Sequence, residues 1–440
     1  MKRMQSIIVF IIIFLIFQSA YSSFSLENPE KKEWLLMFYV ATDNKMYPNA
    51  KNYVEKLTAA YSDKLNMIVF IDGNGDNDTS LYYVGKNGLV DLGWEEPEAN
   101  SGSPATLEKF CKFCIENYPA EHLSLIIISV GPGWQGVCPD YRNGYRNFPL
   151  ISIPSLATVL KNITQNGHKK LEIVSIVACL QAMIEIAYEL SPYAKYLVAM
   201  ETDNAFLQIW PDIEVIKRIN RSCEDFMRNI VRSFQPRVYH PTDLLIAKFF
   251  DSLPFKKLNI VTINTTLSAI NLSRIEKIVN EIDELSPLLL EDKNAVKIAR
   301  EKSLEYGKWS PKYKIFYPIY DYLSLEIYAY DCNIDLYNFL NLLKHESQSE
   351  KVKNLCIQIM NDLNTTVLER KTVPSDKSMG LSIYFPEEKF LYNQFILLGD
   401  IPYPYEELSF SKNTKWDEFL KSYLGITDAI IRGGGGEGEA

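Results

Sequence analysis

Histidine is the scarcest resource of this chain: 440 residues contain only four, His122, His168, His240 and His345. Any chemistry that needs an imidazole at neutral pH therefore has four candidates. A cationic surplus is also missing. Forty-six Lys and Arg against 55 Asp and Glu leave a net charge of −9, and no basic stripe with interleaved aromatics occurs, which excludes a general nucleic-acid binder. Cysteine is sparse, scattered and odd in number. Its seven positions (Cys111, Cys114, Cys138, Cys179, Cys223, Cys332 and Cys356) do not make a disulfide framework and leave at least one thiol outside any intrachain bridge. After the N-terminal segment no apolar run is long enough to cross a bilayer, and no internal repeat is evident.

What is present is core-forming material, 47% apolar and 23% charged, enough for two to three domains. Lys2 and Arg3 precede the apolar run Ile7 to Phe17 and the small-residue Ala20-Tyr21-Ser22, the pattern of an export signal over residues 1–22. The expected mature protein is secreted or otherwise extracytoplasmic (periplasmic in a cell with two membranes), with no membrane partner. A charged linker over 23–33 leads to residues 34–205, where buried-strand runs (34–41, 66–71, 123–130, 171–177, 196–200) alternate with helical patterns. That alternation predicts an α/β fold with a doubly wound, mostly parallel sheet flanked by helices. Residues 206–425 read as a largely helical C-terminal region with a last strand at 380–385, and 426–440 as a Gly-rich tail that can bury nothing.

Cys179 lies just past the strand Leu171–Val177. Leu180, Met183, Ala187 and Leu190 follow at helical spacing, which places the thiol at a helix start on the carboxyl edge of the sheet. Helix N–H groups there would favour a thiolate and could donate to an oxyanion. The competing reading is a buried core cysteine, since Val177, Ala178 and Leu180 surround it. Cys111-x-x-Cys114 falls in a helical pattern and reads as two thiols on a helix face, so no metal site is assigned. Asp72, Asn74, Asp76 and Asp78 alternate as in a calcium loop, but position twelve is Tyr83 where that loop needs a bidentate Glu, which makes a plain turn the better reading.

In the order Ala41-x-Asp43-Asn44, Gly102-Ser-Pro-Ala-Thr-Leu107, Asn117-Tyr-Pro-Ala120, Gly131-x-Gly-Trp134, Ala178-Cys179 with Glu185-x-Ala187, Thr266 to Ile270, Gly380 to Pro386 and Trp416-x-x-Phe419-Leu420, the chain resembles the clostripain-like cysteine peptidases, relatives of the caspase, gingipain and legumain fold. The resemblance implies a caspase-like fold, a peptide or protein ligand, and calcium as a cofactor. It also implies a nucleophile at Cys179, an oxyanion hole from the N–H groups of Gly131 and Cys179, and substrate contacts at residues 134, 177 and 201. The chain departs from the family pattern in three places: Val130 stands where His is expected, Val177 where Asp is expected two residues before the nucleophile, and Met200-Glu201 where Ser-Glu is expected. An isopropyl group moves no proton, so a Cys-His dyad with residue 130 cannot form. Trp134 matches. The expectation is an exported, non-proteolytic binding protein on a peptidase fold. The alternative is an active endopeptidase with another base, for which His240, in a Pro-flanked loop, and Glu201 are the groups to locate.

Overall fold

The computed structural model describes residues 31–44, 46–141, 149–202, 208–239, 263–306, 332–374, 376–389, 392–393 and 404–426. The export signal, His240 and the tail from residue 427 lie outside the described residues.

Strand β1 (Lys32–Ala41) begins inside the expected linker and is followed by helix α1 (Tyr47–Lys56) and β2 (Leu65–Asp72). The hairpin β3 (Ser80–Gly85) and β4 (Gly88–Asp91) comes next, then α2 (Pro104–Asn117), β5 (Ala120–Ile128), α3 (Ile153–Ile163), β6 (Leu171–Val177), α4 (Ile184–Leu190) and β7 (Ala194–Ala199). The later part holds α5 (Ile213–Lys217), α6 (Cys223–Ser233), the pair β8 (Val238–Tyr239) and β9 (Ile263–Asn264), β10 (Leu267–Asn271), α7 (Ile275–Leu289) and α8 (Lys293–Lys302). It continues with β11 (Glu305–Tyr306), β12 (Asn333–Asp335), α9 (Leu336–Glu346), α10 (Glu350–Thr366), β13 (Val367–Lys371), β14 (Ser382–Tyr384), α11 (Ser409–Asn413) and α12 (Trp416–Leu424).

Nine strands form one sheet in the order β13-β10-β7-β6-β5-β1-β2-β3-β4. The five central strands, β7 to β2, pair in parallel, and both flanks are antiparallel. This is the mostly parallel, helix-flanked sheet that the alternating runs predict. The sheet does not stop at residue 205, because β10 and β13 extend it beyond β7. Side chains of β1 divide by parity, with Leu35, Met37 and Tyr39 in one core and Trp34, Leu36, Phe38 and Val40 in the other. Each such fully buried side chain contributes about 1.5–3 kcal/mol, which is why strands with apolar residues on both faces sit in the middle.

Local signals start several helices. Ser152 caps α3 by accepting from the Ser155 N–H, with Pro154 in the first turn, and Ser222, Asp335 and Ser349 cap α6, α9 and α10 in the same way. Among the described residues no helix is long and apolar enough to cross a membrane.

Candidate functional site

The carboxyl ends of β5 and β6 lie side by side: Ile128 pairs with Val177, and the Ser129 N–H donates to the Val177 carbonyl at 3.1 Å. Val130 and Gly131 continue from the first strand and Ala178 and Cys179 from the second. Val130 is 3% exposed, belongs to the same apolar cluster as Val177, and accepts the Cys138 N–H on its carbonyl at 3.2 Å. Cys179 is 5% exposed and packs with Leu180, Tyr306 and Leu304.

The helix start expected at Cys179 is corrected. Leu180 has φ of 59°, and α4 begins only at Ile184, with Met183 as its cap residue. The reason lies in the neighbouring strand: the Leu180 N–H is taken by the Thr202 carbonyl at 3.1 Å and the Ala182 N–H by the Met200 carbonyl at 2.9 Å. Residues 180–182 therefore run alongside the continuation of β7 instead of coiling, and α4 begins five residues past the thiol.

Gln181 was not singled out by sequence, yet it ties the two loops together. Fully buried, its Nε2 donates to the carbonyls of Cys179 (3.1 Å), Gly133 (3.3 Å) and Gly136 (3.4 Å). A Cβ on residue 131 would sit 2.8 Å from that Nε2 and 2.8 Å from the Gly136 carbonyl oxygen, so the close approach requires Gly131. The only sequence signal was a glutamine inside an apolar stretch. Trp134 stands inside the main core, with its ring against Tyr384 (5.4 Å) and Tyr405 (5.2 Å).

Glu201 is fully buried, and its Oε2 accepts the Gly380 N–H at 2.9 Å. Burial, with the facing Asp335 second, pushes it well above the carboxylate range, whereas Asp335 is pushed by burial only to about 6 because the Met379 and Asn338 N–H groups support its charge. Tyr306, which touches Cys179, is likewise pushed up by burial and then by Glu201 and Asp335. Asp335 and Tyr306 were invisible to sequence reasoning because they arrive from far along the chain.

The other described histidines lie elsewhere. His122 is at the amino end of β5, His168 precedes the amino end of β6, and His345 is in the last turn of α9. Cys111 and Cys114 are fully buried on α2, and none of the seven cysteines is in a disulfide. The 72–78 loop does not fit a calcium ion: Asp78 spends both oxygens on the Gly73 and Gly75 N–H groups, and Asp72 accepts from Thr79.

The mostly parallel, helix-flanked sheet, with a cysteine past one strand end beside a glycine-containing loop past the next, is a caspase-like α/β arrangement. The chain belongs to the clostripain family, whose family model matches residues 38–423. It is 23% identical to the clostripain of Hathewaya histolytica over 480 aligned positions, covering 90% of this chain and 88% of that protein. Its fold is similar to a secreted C11 cysteine protease from Bacteroides thetaiotaomicron solved with an irreversible peptide inhibitor (TM-score 0.56, 14% identity, 88% of this chain and 99% of the other). It is also similar to an inactive zymogen C11 protease from Parabacteroides distasonis (TM-score 0.57, 16% identity, with the same two coverages).

Proposed function

We propose that this is an exported, non-proteolytic member of the clostripain family that holds a peptide or protein ligand at the strand ends around Cys179. The observation that carries the reading is Val130: the residue leading into the glycine loop is an apolar side chain packed into the core. Peptide hydrolysis requires a group to take the thiol proton and return it to the leaving amine, a contribution of about 10²–10⁴-fold. Residue 130 cannot supply it. Val177 in the same apolar cluster removes the carboxylate that would attract a basic side chain. The peptide inhibitor held by the B. thetaiotaomicron protease motivates a peptide as the ligand class. Glu201 is fully buried with its Oε2 engaged by the Gly380 N–H, so its carboxyl is poorly placed to act as a substitute base.

The test compares the purified chain with Cys179→Ala and Val130→His on peptides containing Arg or Lys, with and without calcium. The wild type should show no Cys179-dependent cleavage, and labelled peptide should still bind by fluorescence anisotropy. Turnover by the wild type that disappears in Cys179→Ala would overturn the proposal. Cleavage appearing in Val130→His alone would identify the proton-transfer group as the missing part.

A further inference from the structure

At the opposite, amino edge of the sheet, His122 on β5, Glu172 on β6 and Cys223, the first residue of α6, converge. The Cys223 sulfur lies 3.5 Å from His122 Nδ1, which lies 3.5 Å from Glu172 Oε1, and all three ligand atoms fall within 4.8 Å of one another. We propose that this trio is a zinc-binding site that fastens α6, from the later part of the chain, to the ends of β5 and β6.

Two geometric facts favour a cation over a hydrogen-bond chain. Tetrahedral zinc with bonds of about 2.0–2.3 Å holds its ligand atoms about 3.4–3.6 Å apart, and the two separations from His122 Nδ1 match, with the third within 4.8 Å. Thiol and carboxylate also converge on the same ring nitrogen. A metal at their common centre would engage thiolate, imidazole and carboxylate at once. Soft sulfur, borderline imidazole and a single carboxylate select zinc over calcium or magnesium.

The surroundings are compatible with a partly open site. The side chains of His122 and Glu172 are 21% and 11% exposed, which leaves a fourth position to water. The Trp34 ring lies 4.8 Å from the imidazole and fixes its plane, while the Trp34 Nε1–H donates to Asn220 in the turn before α6. Lys195 donates to the same Glu172 Oε1 at 2.8 Å, so the carboxylate oxygen is shared between this ammonium and the site. Zinc binding releases the Cys223 thiol proton to solvent as the Zn–S bond forms.

The experiment uses the purified chain, stripped with a chelator and titrated with Zn²⁺ against a chromophoric competitor and separately with Co²⁺. One zinc per chain is expected, together with a thiolate-to-cobalt charge-transfer band and a rise in unfolding temperature on zinc addition. Cys223→Ser should abolish the band and weaken zinc by more than the roughly 10–100-fold typical of losing an outer-shell partner. Glu172→Gln, which keeps size and hydrogen bonding, should weaken zinc as well and guards against misfolding of the first variant. Absence of stoichiometric zinc at micromolar concentration, or a cobalt band that survives Cys223→Ser, would overturn the site.

Discussion

Glu185 shows how a single buried group sets a pH response. Its Oε1 accepts the Tyr384 N–H and the Tyr405 O–H, both at 2.9 Å, while Oε2 has no partner, and burial pushes the carboxyl up to about 7. The folded state therefore binds more protons than the unfolded state between pH 4.5 and 7. The stabilisation is fully present below the unfolded value and is lost as pH rises through the folded one. Between pH 5 and 8 this group should remove about 2–3 kcal/mol. Asp43, raised to about 6, and Asp72, raised to about 7, act in the same direction, burial being the main cause for both. Glu185→Gln mimics the protonated form, so urea denaturation at the two pH values should show a smaller loss in the variant by about 2 kcal/mol; an equal loss in both proteins contradicts the assignment. Gly380 has φ of +97°, and a Cβ there would lie 2.5 Å from Ser268 Oγ. Gly380→Ala should destabilise by about 1–3 kcal/mol in the same measurement, loosening the N–H that holds Glu201.

Among the elements, β14 and α12 support the cysteine loop from behind. The Ser382 N–H donates to the Ala182 carbonyl at 2.9 Å, and Trp416 on α12 donates its Nε1–H to the Tyr384 carbonyl at 3.0 Å while its ring meets Phe385 at 5.5 Å. Trp416→Ala should cost about 3–5 kcal/mol in thermal or chemical unfolding. The loop it supports should also open, so alkylation of Cys179 by iodoacetamide should speed up in the variant; an unchanged rate would uncouple the two elements. The expected helix at Cys179 failed at this same scale. Apolar spacing of Leu180, Met183, Ala187 and Leu190 reports burial, and all four are buried. Periodicity cannot tell that the N–H groups of Leu180 and Ala182 bond to β7's continuation before the helix begins.

Over the whole molecule, one apolar cluster runs from Leu35 to Leu420, and β10 pairs with β7 along its open edge. Residues 31–205 expressed alone should therefore lack cooperative unfolding and aggregate through the bare β7 edge; a soluble fragment with a sharp transition would contradict this. The sequence by itself determined the alternating strands and helices, because each buried strand is a local run of apolar residues. It also determined that residue 130 is a valine and residue 179 a cysteine, the identities on which the functional proposal depends. Only the tertiary structure decided that β10 and β13 extend the sheet, that Gln181 links the two loops, that Glu201 faces Asp335, and that His122, Glu172 and Cys223 share one point. Local pattern records which residues leave water, whereas these meetings join segments dozens to more than a hundred residues apart and are selected by the packing of the complete core.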